Sequence, residues 1–500
     1  MKKISFNLRH AVFYMLVLLP FALLQYACSP ALVSGSYHDP NSYSEAIYGE
    51  IAKRTFGYEG PHRNPLIVIH GFLGARLKDM EKNENIWGNF SYSEMSKGGK
   101  FARLAHPMEI GKPLRLLKND VKPVSLLEKS AIEFMGLGFD VDNYDRLILM
   151  LQQAGYVPNH APLPQGKNFF SLFIFYYDWR RDISENAVEL ENFIQQKKMY
   201  LQERYASLYG AMNYPVKFDI IAHSMGGLLA RYYLLYGGTL LPDDETRSIP
   251  ISWKGAENIE KVVMVGTPNA GYVDTLLELN RGLQLVAASP IYPKALIGTF
   301  VSYYQMFPDA SGNRVVYDDT NEPVDYYSEK TWIKYNWGIL DPAQDAWLKM
   351  LLPNAAGAQE RRAIAIDHLR KCLMRARQFK RAMLPRKSPP KPEHLDFFLI
   401  AGDAVLTNHT LLVDSKTGAL KVKKQDTGDG KVTSTSATFD LRGERVWKWY
   451  IDSPISWSGV YFFQGGHMGI MNSNVFASNL SFLLTTLPPG DFRKGGVNRK

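Results

Sequence analysis

Only two cysteines occur in the 500-residue sequence, Cys28 and Cys372. If Cys28 is lipidated, Cys372 is left alone and no intrachain disulfide can form. The fold would then be stabilised by its hydrophobic core, even in an oxidising compartment. The composition allows this, because 46% hydrophobic and 21% charged residues are an ordinary globular balance.

A long hydrophobic run is also missing. The apolar run 11–24 is interrupted by Pro20 and is too short to predict a membrane-spanning helix. Three basic residues precede the run and small or polar residues follow it, so residues 1–27 are predicted to form a secretory signal peptide. The sequence therefore predicts an exported protein.

The end of this signal contains Leu24-Gln25-Tyr26-Ala27-Cys28, which resembles a bacterial lipoprotein cleavage site. Cys28 would then be lipidated, and the protein would be a membrane-anchored lipoprotein of the cell envelope. Gln25 stands where such sites usually carry an aliphatic residue. Ordinary cleavage with a free thiol is the alternative, and it predicts a periplasmic or secreted protein.

The net charge of +9 is concentrated in one segment. Between Arg361 and Lys391, eleven Lys or Arg residues stand against the single Asp367. Apolar and basic positions recur there with helical spacing, which predicts a basic amphipathic helix that ends before Pro385. Its basic side either contacts the anionic headgroups of a membrane surface or is the solvated face of a cap. No nucleic-acid-binding module is recognisable, so nucleic acid is not a predicted partner.

Six short apolar runs have the character of buried parallel strands, and helical patterns follow several of them. This alternation predicts an α/β fold with a mostly parallel, doubly wound sheet. The predicted strands are 66–69, 172–176, 218–221, 262–265, 397–400 and 460–463, and the predicted helices are 145–153, 186–202, 228–235 and 475–487.

Two stretches interrupt the alternation and are interpreted as insertions that form a lid or cap. The predicted organisation is a linker at 28–60, a core of 61–275 and 395–490 with a lid-type insertion at about 78–142, a cap at 276–394 that contains the basic helix, and a basic tail at 491–500.

Ser224 lies between a predicted strand and a predicted helix, in Ala222-His223-Ser224-Met225-Gly226. Small residues at 222 and 226 allow the tight turn of a nucleophile elbow, which projects the serine oxygen away from the sheet. The helix N-terminus stabilises negative charge that develops beside it. We therefore predict the α/β-hydrolase fold with Ser224 as nucleophile, and we assign His223 to the shape of the turn.

A serine hydroxyl needs a general base, and in α/β-hydrolases the chain order is Ser, acid, His. His394, His409 and His467 lie far enough along the chain to serve. His467 directly follows the last predicted strand, within Gly465-Gly466-His467-Met468-Gly469, and it is the predicted base.

Three residues compete for the role of the acid. Asp403 follows the strand 397–400 closely, and its position alone favours it. Asp429 lies between two glycines in a loop that could bring a carboxylate to the site, and Asp426 is a third candidate. For the oxyanion, the backbone N–H of Met225 is one predicted donor, and the glycine-rich loop around Phe72 supplies the other.

Motifs spread from Pro65 onward resemble the lecithin:cholesterol acyltransferase family, which includes lysosomal phospholipases and diacylglycerol acyltransferases that use phospholipid as donor. The motifs are His70-Gly71-Phe72-Leu73-Gly74, Tyr144-Asp145, Ala154-Gly155-Tyr156, Tyr177-Asp178-Trp179-Arg180, the Ser224 elbow, Gly266-Thr267-Pro268-Asn269-Ala270-Gly271, Gly428-Asp429-Gly430-Lys431-Val432 and His467.

The resemblance implies a triad of Ser224, Asp429 and His467, with the N–H groups of Phe72 and Met225 as the oxyanion hole. It also implies that Trp87 lies in a loop near the acyl pocket and binds substrate, although a surface aromatic is an alternative. The Asp178-Trp179-Arg180 stretch is expected to buttress the site through an ion pair and a ring.

The expected function is therefore that of an exported serine lipase, phospholipase or acyltransferase that acts on glycerolipid esters, phospholipid above all, at a membrane surface. No metal or organic cofactor is required by this chemistry. A neutral-lipid lipase or a soluble-ester esterase is the alternative enzyme. A binding protein without activity on a hydrolase scaffold is the alternative from another class.

Overall fold

The computed structural model describes residues 55–88, 90–91, 99–127, 129–134, 137–142, 144–285, 291–309, 314–384, 389–442 and 451–486. All of them belong to one unit, 46–500. The predicted signal peptide 1–27, Cys28, most of the linker 28–60 and the basic tail 491–500 lie outside the described residues.

The strands and helices are as follows. In chain order the strands are β1 (Leu66–Ile69), β2 (Ala75–Asp79), β3 (Glu84–Trp87), β4 (Phe90–Ser91), β5 (Val121–Leu126), β6 (Lys129–Phe134), β7 (Leu137–Asp142), β8 (Leu172–Phe175), β9 (Phe218–His223), β10 (Ile259–Val265), β11 (Leu283–Gln284), β12 (Ile291–Tyr292), β13 (Val315–Tyr317), β14 (Asp396–Gly402), β15 (Val405–Val413), β16 (Leu420–Gly428) and β17 (Gly459–Phe463). The α-helices are α1 (Gly99–Leu104), α2 (Asp145–Gln153), α3 (Ile183–Tyr209), α4 (Met225–Tyr236), α5 (Asp274–Arg281), α6 (Lys294–Ile297), α7 (Val301–Gln305), α8 (Glu329–Tyr335), α9 (Asp345–Leu351), α10 (Ala358–Met383), α11 (Ser434–Thr438) and α12 (Asn474–Ser481).

The central sheet contains the six predicted apolar runs. Its order is β17-β14-β10-β9-β1-β8, and every neighbouring pair is parallel. Alternate side chains of a strand point to opposite faces. Ile67 and Ile69 accordingly join the core that contains α3 and α4, whereas Leu66 and Val68 join the core that contains α2 and α12. The predicted α/β fold class with a doubly wound parallel sheet is confirmed.

Local signals account for the limits of the long helix α3. The carboxylate of Asp182 accepts the N–H of Ser184 at 2.8 Å and caps the start of the helix. Gly210 ends the helix with φ 64°, a left-handed conformation that glycine adopts without a steric penalty.

The stretches predicted as insertions contain their own secondary structure. The first holds the small sheet β4-β6-β7 and most of the small sheet β3-β2-β5, whose strand β2 begins before the insertion, at Ala75. The second is mainly helical, from α6 to α10, and its strand β13 pairs with β15 of the hairpin β15–β16. The division into core, lid and cap stays a prediction.

The predicted basic helix is α10, which ends at Met383, before Pro385. The expectation of a solvated or lipid-facing row of cations is wrong for Arg375, whose Nε lies 2.8 Å from the Asp182 carboxylate while both side chains are almost fully buried. A buried charge is costly unless it is paired. Other cations of the helix also pair within the chain: Arg361 with Asp345, Lys371 with Asp367, and Arg377 with Glu245.

Among the described residues, no helix combines the length and apolar character that crossing a membrane requires.

Candidate active site

Ser224 stands at the apex of the turn between β9 and α4. Its backbone has φ 52° and ψ −126°, a region that residues other than glycine rarely adopt. Its N–H donates to the carbonyl of Val265 at 2.8 Å, which ties the turn to the neighbouring strand. A Cβ on Gly226 would lie 2.4 Å from the carbonyl oxygen of His70, so only glycine fits there. The chain thus folds here as a strand, a tight turn and a helix.

Ser224, His467 and Asp429 are joined by hydrogen bonds. His467 Nε2 lies 2.9 Å from Ser224 Oγ, and His467 Nδ1 lies 2.8 Å from Asp429 Oδ2. The three residues follow β9, β17 and β16, respectively. This connectivity is that of a Ser-His-Asp triad, in which the carboxylate orients the histidine and the histidine can take the serine proton.

The carboxylate of Asp429 is buried and held by its own turn. Its Oδ1 accepts the N–H groups of Lys431 at 2.9 Å and Val432 at 2.7 Å. Burial alone would raise the pKa of Asp429, but His467 and the two N–H donors outweigh it and hold this pKa below its ordinary value. Asp429 is therefore ionised at neutral pH and presents Oδ2 to the histidine.

The alternative acids and histidines have other surroundings. Asp403 is exposed after β14, and the Asp426 carboxylate accepts a neighbouring backbone N–H at an exposed position. His394 Nε2 lies 3.0 Å from a backbone oxygen, and His409 Nδ1 lies 2.8 Å from the hydroxyl of the next residue. The structure brings Asp429 and His467 to the serine.

The loop after β1 approaches the elbow. A Cβ on Gly71 would lie 2.8 Å from Ser224 Cβ, so glycine is required for this contact. Within the described ranges, neither the Phe72 N–H nor the Met225 N–H donates to a protein acceptor. Two free N–H donors beside a serine are what an oxyanion hole needs.

His70 fixes the peptide that carries the Phe72 N–H. The Tyr177 N–H donates to His70 Nε2 at 3.3 Å, so the ring proton lies on Nδ1, which is 2.8 Å from the Gly71 carbonyl oxygen. The Gly71 carbonyl and the Phe72 N–H belong to one trans peptide and point in opposite directions. Burial lowers the pKa of His70 to about 4, although the bond to Gly71 opposes the shift. The ring is therefore neutral, as this arrangement requires.

Aromatic rings support the same loop. The Phe72 ring packs edge-on against Trp179 and Tyr303, with centroid separations of 5.1 and 4.8 Å. Trp87 packs on Trp179 and donates its indole N–H to the Leu73 carbonyl at 3.0 Å. Trp87 ends strand β3 and is 3% exposed, so the expectation of a loop residue or a surface aromatic is wrong. Substrate contact by Trp87 stays a prediction.

The expected ion pair beside Trp179 is present. Arg180 Nε lies 2.9 Å from Asp178 Oδ1, and Arg180 Nη2 lies 2.7 Å from Asp178 Oδ2. Arg180 also donates to the Leu104 carbonyl at 2.6 Å, and its side chain is fully buried. This bidentate pair fixes the backbone on both sides of Trp179, the ring against which Phe72 packs.

Sequence reasoning missed the role of Tyr144 and assigned His223 only to the turn. The Tyr144 hydroxyl lies 2.8 Å from both the Gly71 nitrogen and His223 Nδ1. His223 Nε2 lies 3.2 Å from the carbonyl oxygen of His467. Tyr144 and His223 are 79 positions apart in the sequence, so local patterns could not reveal their contact.

Comparison with known families adds an independent observation. The family model described as lecithin:cholesterol acyltransferase matches residues 120–346. The resemblance to the lecithin:cholesterol acyltransferase family is confirmed. The matched stretch includes Ser224 and ends before Asp429 and His467. Similarity to the lecithin:cholesterol acyltransferase family supports an acyl-ester hydrolase or acyltransferase that acts on lipids. A search of curated protein sequences found no match.

Matches to solved structures were also found. A chain of the Tle4–Tli4 complex is 12% identical, with a TM-score of 0.50, and the match covers 84% of this chain and 98% of that one. For the mature Bacillus licheniformis lipase BlEst2 the identity is 11%, the TM-score 0.30 and the coverage 86% and 95%. For EstA from Clostridium botulinum the identity is 14% and the TM-score 0.32, and the match covers 86% of this chain and 89% of that one. At 12% identity the likeness to the chain of the Tle4–Tli4 complex concerns the fold alone.

Proposed function

We propose that the protein is an exported serine lipase, phospholipase or acyltransferase. It forms an acyl-enzyme on Ser224 from a glycerolipid ester, phospholipid above all, and passes the acyl group to water or to an alcohol. The observation that carries the proposal is the hydrogen-bonded sequence Ser224–His467–Asp429 beside the free N–H groups of Phe72 and Met225.

In the first half-reaction, His467 Nε2 takes the proton of Ser224 Oγ as that oxygen attacks the ester carbonyl carbon. The carbonyl oxygen becomes an oxyanion, and the N–H groups of Phe72 and Met225 each stabilise it by about 3 kcal/mol. The C–O bond to the leaving alcohol then breaks, and His467 donates its proton to that alcohol. Between these two proton transfers His467 is an imidazolium, and the Asp429 carboxylate stabilises it.

In the second half-reaction, water or an alcohol attacks the acyl-enzyme. His467 takes the proton of this nucleophile and returns it to Ser224 Oγ when the acyl bond breaks. The chemistry is the same for both acceptors, so the nature of the acceptor site decides between hydrolysis and acyl transfer. No metal or organic cofactor enters either step.

Two observations support a lipid ester as the substrate. The chain is similar to the lecithin:cholesterol acyltransferase family, and the oxyanion loop carries the apolar ring of Phe72, which is only partly buried. We further propose that the signal peptide directs export and that lipidated Cys28 tethers the enzyme to the membrane surface from which it takes substrate.

Product analysis tests the proposal. The purified mature chain is incubated with vesicles of mixed phosphatidylcholine and phosphatidylethanolamine, with and without an added long-chain alcohol. Triglyceride emulsions and short-chain soluble esters are run in parallel, and Ser224→Ala is the control. We expect free fatty acid and lysophospholipid from vesicles, and an ester of the added alcohol when that alcohol is the acceptor.

Other outcomes have definite meanings. Preference for triglyceride would identify a neutral-lipid lipase, and preference for soluble esters without vesicle binding would identify an esterase. Turnover that persists in Ser224→Ala would refute the nucleophile. Failure of an active-site fluorophosphonate to label Ser224, together with no turnover of any ester, would favour a binding protein.

A further inference from the structure

We infer that Tyr144 and His223 form a positioning pair that couples the oxyanion loop to the loop of the catalytic histidine. The inference rests on the proposed function, because it concerns how that site is held. Tyr144 precedes α2, and His223 ends β9. Both side chains are almost fully buried, so their contacts are with protein groups.

Only one assignment of donors and acceptors is consistent with all the hydrogen bonds of the pair. The Gly71 N–H donates to the Tyr144 oxygen at 2.8 Å, which leaves the Tyr144 O–H to donate to His223 Nδ1, also at 2.8 Å. The proton of His223 then lies on Nε2 and is donated to the His467 carbonyl oxygen at 3.2 Å. The reverse tautomer would place the lone pair of Nε2 against a carbonyl oxygen and leave the Tyr144 proton without this acceptor.

This arrangement requires a neutral His223. Burial and the nearby His467 lower its pKa to about 3, although the bond to the His467 backbone and the charge of Asp429 oppose the shift. Burial also raises the pKa of Tyr144. Both side chains therefore keep fixed protonation states at neutral pH and act as static links.

The two ends of the link are the parts whose relative position matters most. At one end, Gly71 is followed directly by Phe72, whose N–H is the proposed oxyanion donor. At the other end, the carbonyl of His467 belongs to the residue whose side chain takes the serine proton. A displacement of about 1 Å in such groups can cost about 10²-fold in rate. We expect the pair to affect the transition state and not the binding of substrate.

Tyr144→Phe is the first test, because it removes only the oxygen. We expect kcat to fall between about 10- and 100-fold, while KM for a short-chain p-nitrophenyl ester stays within about 3-fold. Rates are counted per mole of serine that a fluorophosphonate labels, so that unfolded protein does not contribute. Tyr205→Phe is the matched control: Tyr205 is equally buried, and its hydroxyl has no partner among the described residues. It should keep the wild-type kcat.

Variants of His223 test the other half of the link. His223→Ala removes both of its bonds, and we expect a loss of kcat at least as large as that of Tyr144→Phe. The double variant should lose no more than His223→Ala alone, because the two side chains act through one connection. His223→Gln places an N–H donor near the position of Nε2 and should recover several-fold of the lost kcat. If Tyr144→Phe does not fold, the comparison of His223→Gln with His223→Ala still tests the inference.

The inference is overturned if folded Tyr144→Phe has the wild-type kcat per labelled serine, if only KM changes, or if the two substitutions multiply in the double variant. Failure of the proposed function looks different. It would appear as wild-type turnover in Ser224→Ala, whatever the positioning variants do.

Discussion

Asp429 presents one carboxylate oxygen to His467 Nδ1 at 2.8 Å, while its other oxygen accepts two N–H groups of its own turn. In Asp429→Asn the turn can keep its shape, because the amide oxygen can still accept those N–H groups. The amide nitrogen would then face His467 Nδ1 and hold the imidazole in the wrong tautomer, with its proton towards Ser224. We expect kcat to fall about 10⁴-fold with little change in KM.

Ester hydrolysis by Asp429→Asn is measured beside that by Asp426→Asn, which changes a partly exposed carboxylate on the neighbouring strand β16. The control should keep at least half of the wild-type kcat. A larger loss in Asp426→Asn than in Asp429→Asn would overturn the choice of acid.

The backbone of Ser224 gives a prediction about stability. Its φ of 52° with ψ −126° is costly for a residue with a Cβ, and such strain is typically worth 1–3 kcal/mol. Ser224→Gly relieves the strain, whereas Ser224→Ala keeps it. Glycine also makes the unfolded chain more flexible, and this offsets part of the stability gained by relieving the strain. We expect the free energy of unfolding of Ser224→Gly to exceed that of Ser224→Ala by about 1 kcal/mol.

Urea denaturation of the two inactive variants measures this difference directly, without an effect of bound substrate. An alanine variant that is as stable as the glycine variant, or more so, would contradict strain at the elbow.

His70 gives a third prediction, because its Nδ1–H orients the Gly71–Phe72 peptide. In His70→Ala this peptide loses the bond that holds its carbonyl, and the Phe72 N–H is no longer fixed towards the oxyanion. The loss of one oxyanion donor costs about 10²- to 10³-fold in kcat, and we expect His70→Ala to approach the lower of these values.

The matched control is His394→Ala, which removes a partly buried histidine bonded to a distant backbone carbonyl. Inhibition by a trifluoromethyl ketone provides a second measurement, because its adduct with Ser224 carries an oxyanion. Its affinity should fall in His70→Ala and stay unchanged in the control. Equal affinity in both variants would argue against the role of His70.

The sequence was sufficient for the parts of the fold that repeat a local pattern. Each of the six apolar runs contributed a strand to the central sheet, because parallel strands that are covered on both faces are mainly apolar. The expectation of a buried strand is wrong for β17, whose residues are only partly buried or exposed at the edge of the sheet. Ser224 was also found from a local pattern, since the elbow needs small residues between a strand and a helix. Asp429 was separated from Asp403 only by family resemblance, because both follow strands.

Contacts between distant segments could not be found in this way. Nothing near Tyr144 in the sequence indicates that its hydroxyl meets His223. The basic character of α10 suggested a solvated or lipid-facing surface, yet Arg375 is buried against Asp182, which caps another helix. Charge patterns along a chain do not reveal which charges the fold will pair.

The buried carboxylate of Asp219 gives the last prediction, on the dependence of stability on pH. Asp219 lies in β9, is 1% exposed and accepts a hydrogen bond from Asn64 at 3.0 Å. Burial raises its pKa to about 6, although Lys261 and Asn64 oppose the shift. In the unfolded chain the pKa of an aspartate is about 3.9. Between about pH 4 and 6 the folded protein therefore binds a proton that the unfolded chain does not.

Stability contributed by Asp219 must therefore rise as the pH falls from 6 to 4, and the difference of about two pKa units corresponds to about 3 kcal/mol. Asp219→Asn cannot titrate and lacks this contribution. We expect the free energy of unfolding of the wild type, relative to Asp219→Asn, to increase by up to that amount from pH 7 to pH 4 and to be constant above pH 7. Urea denaturation at several pH values measures the difference. A constant difference from pH 4 to 7 would mean that Asp219 is ionised in the folded protein throughout, with Lys261 outweighing its burial.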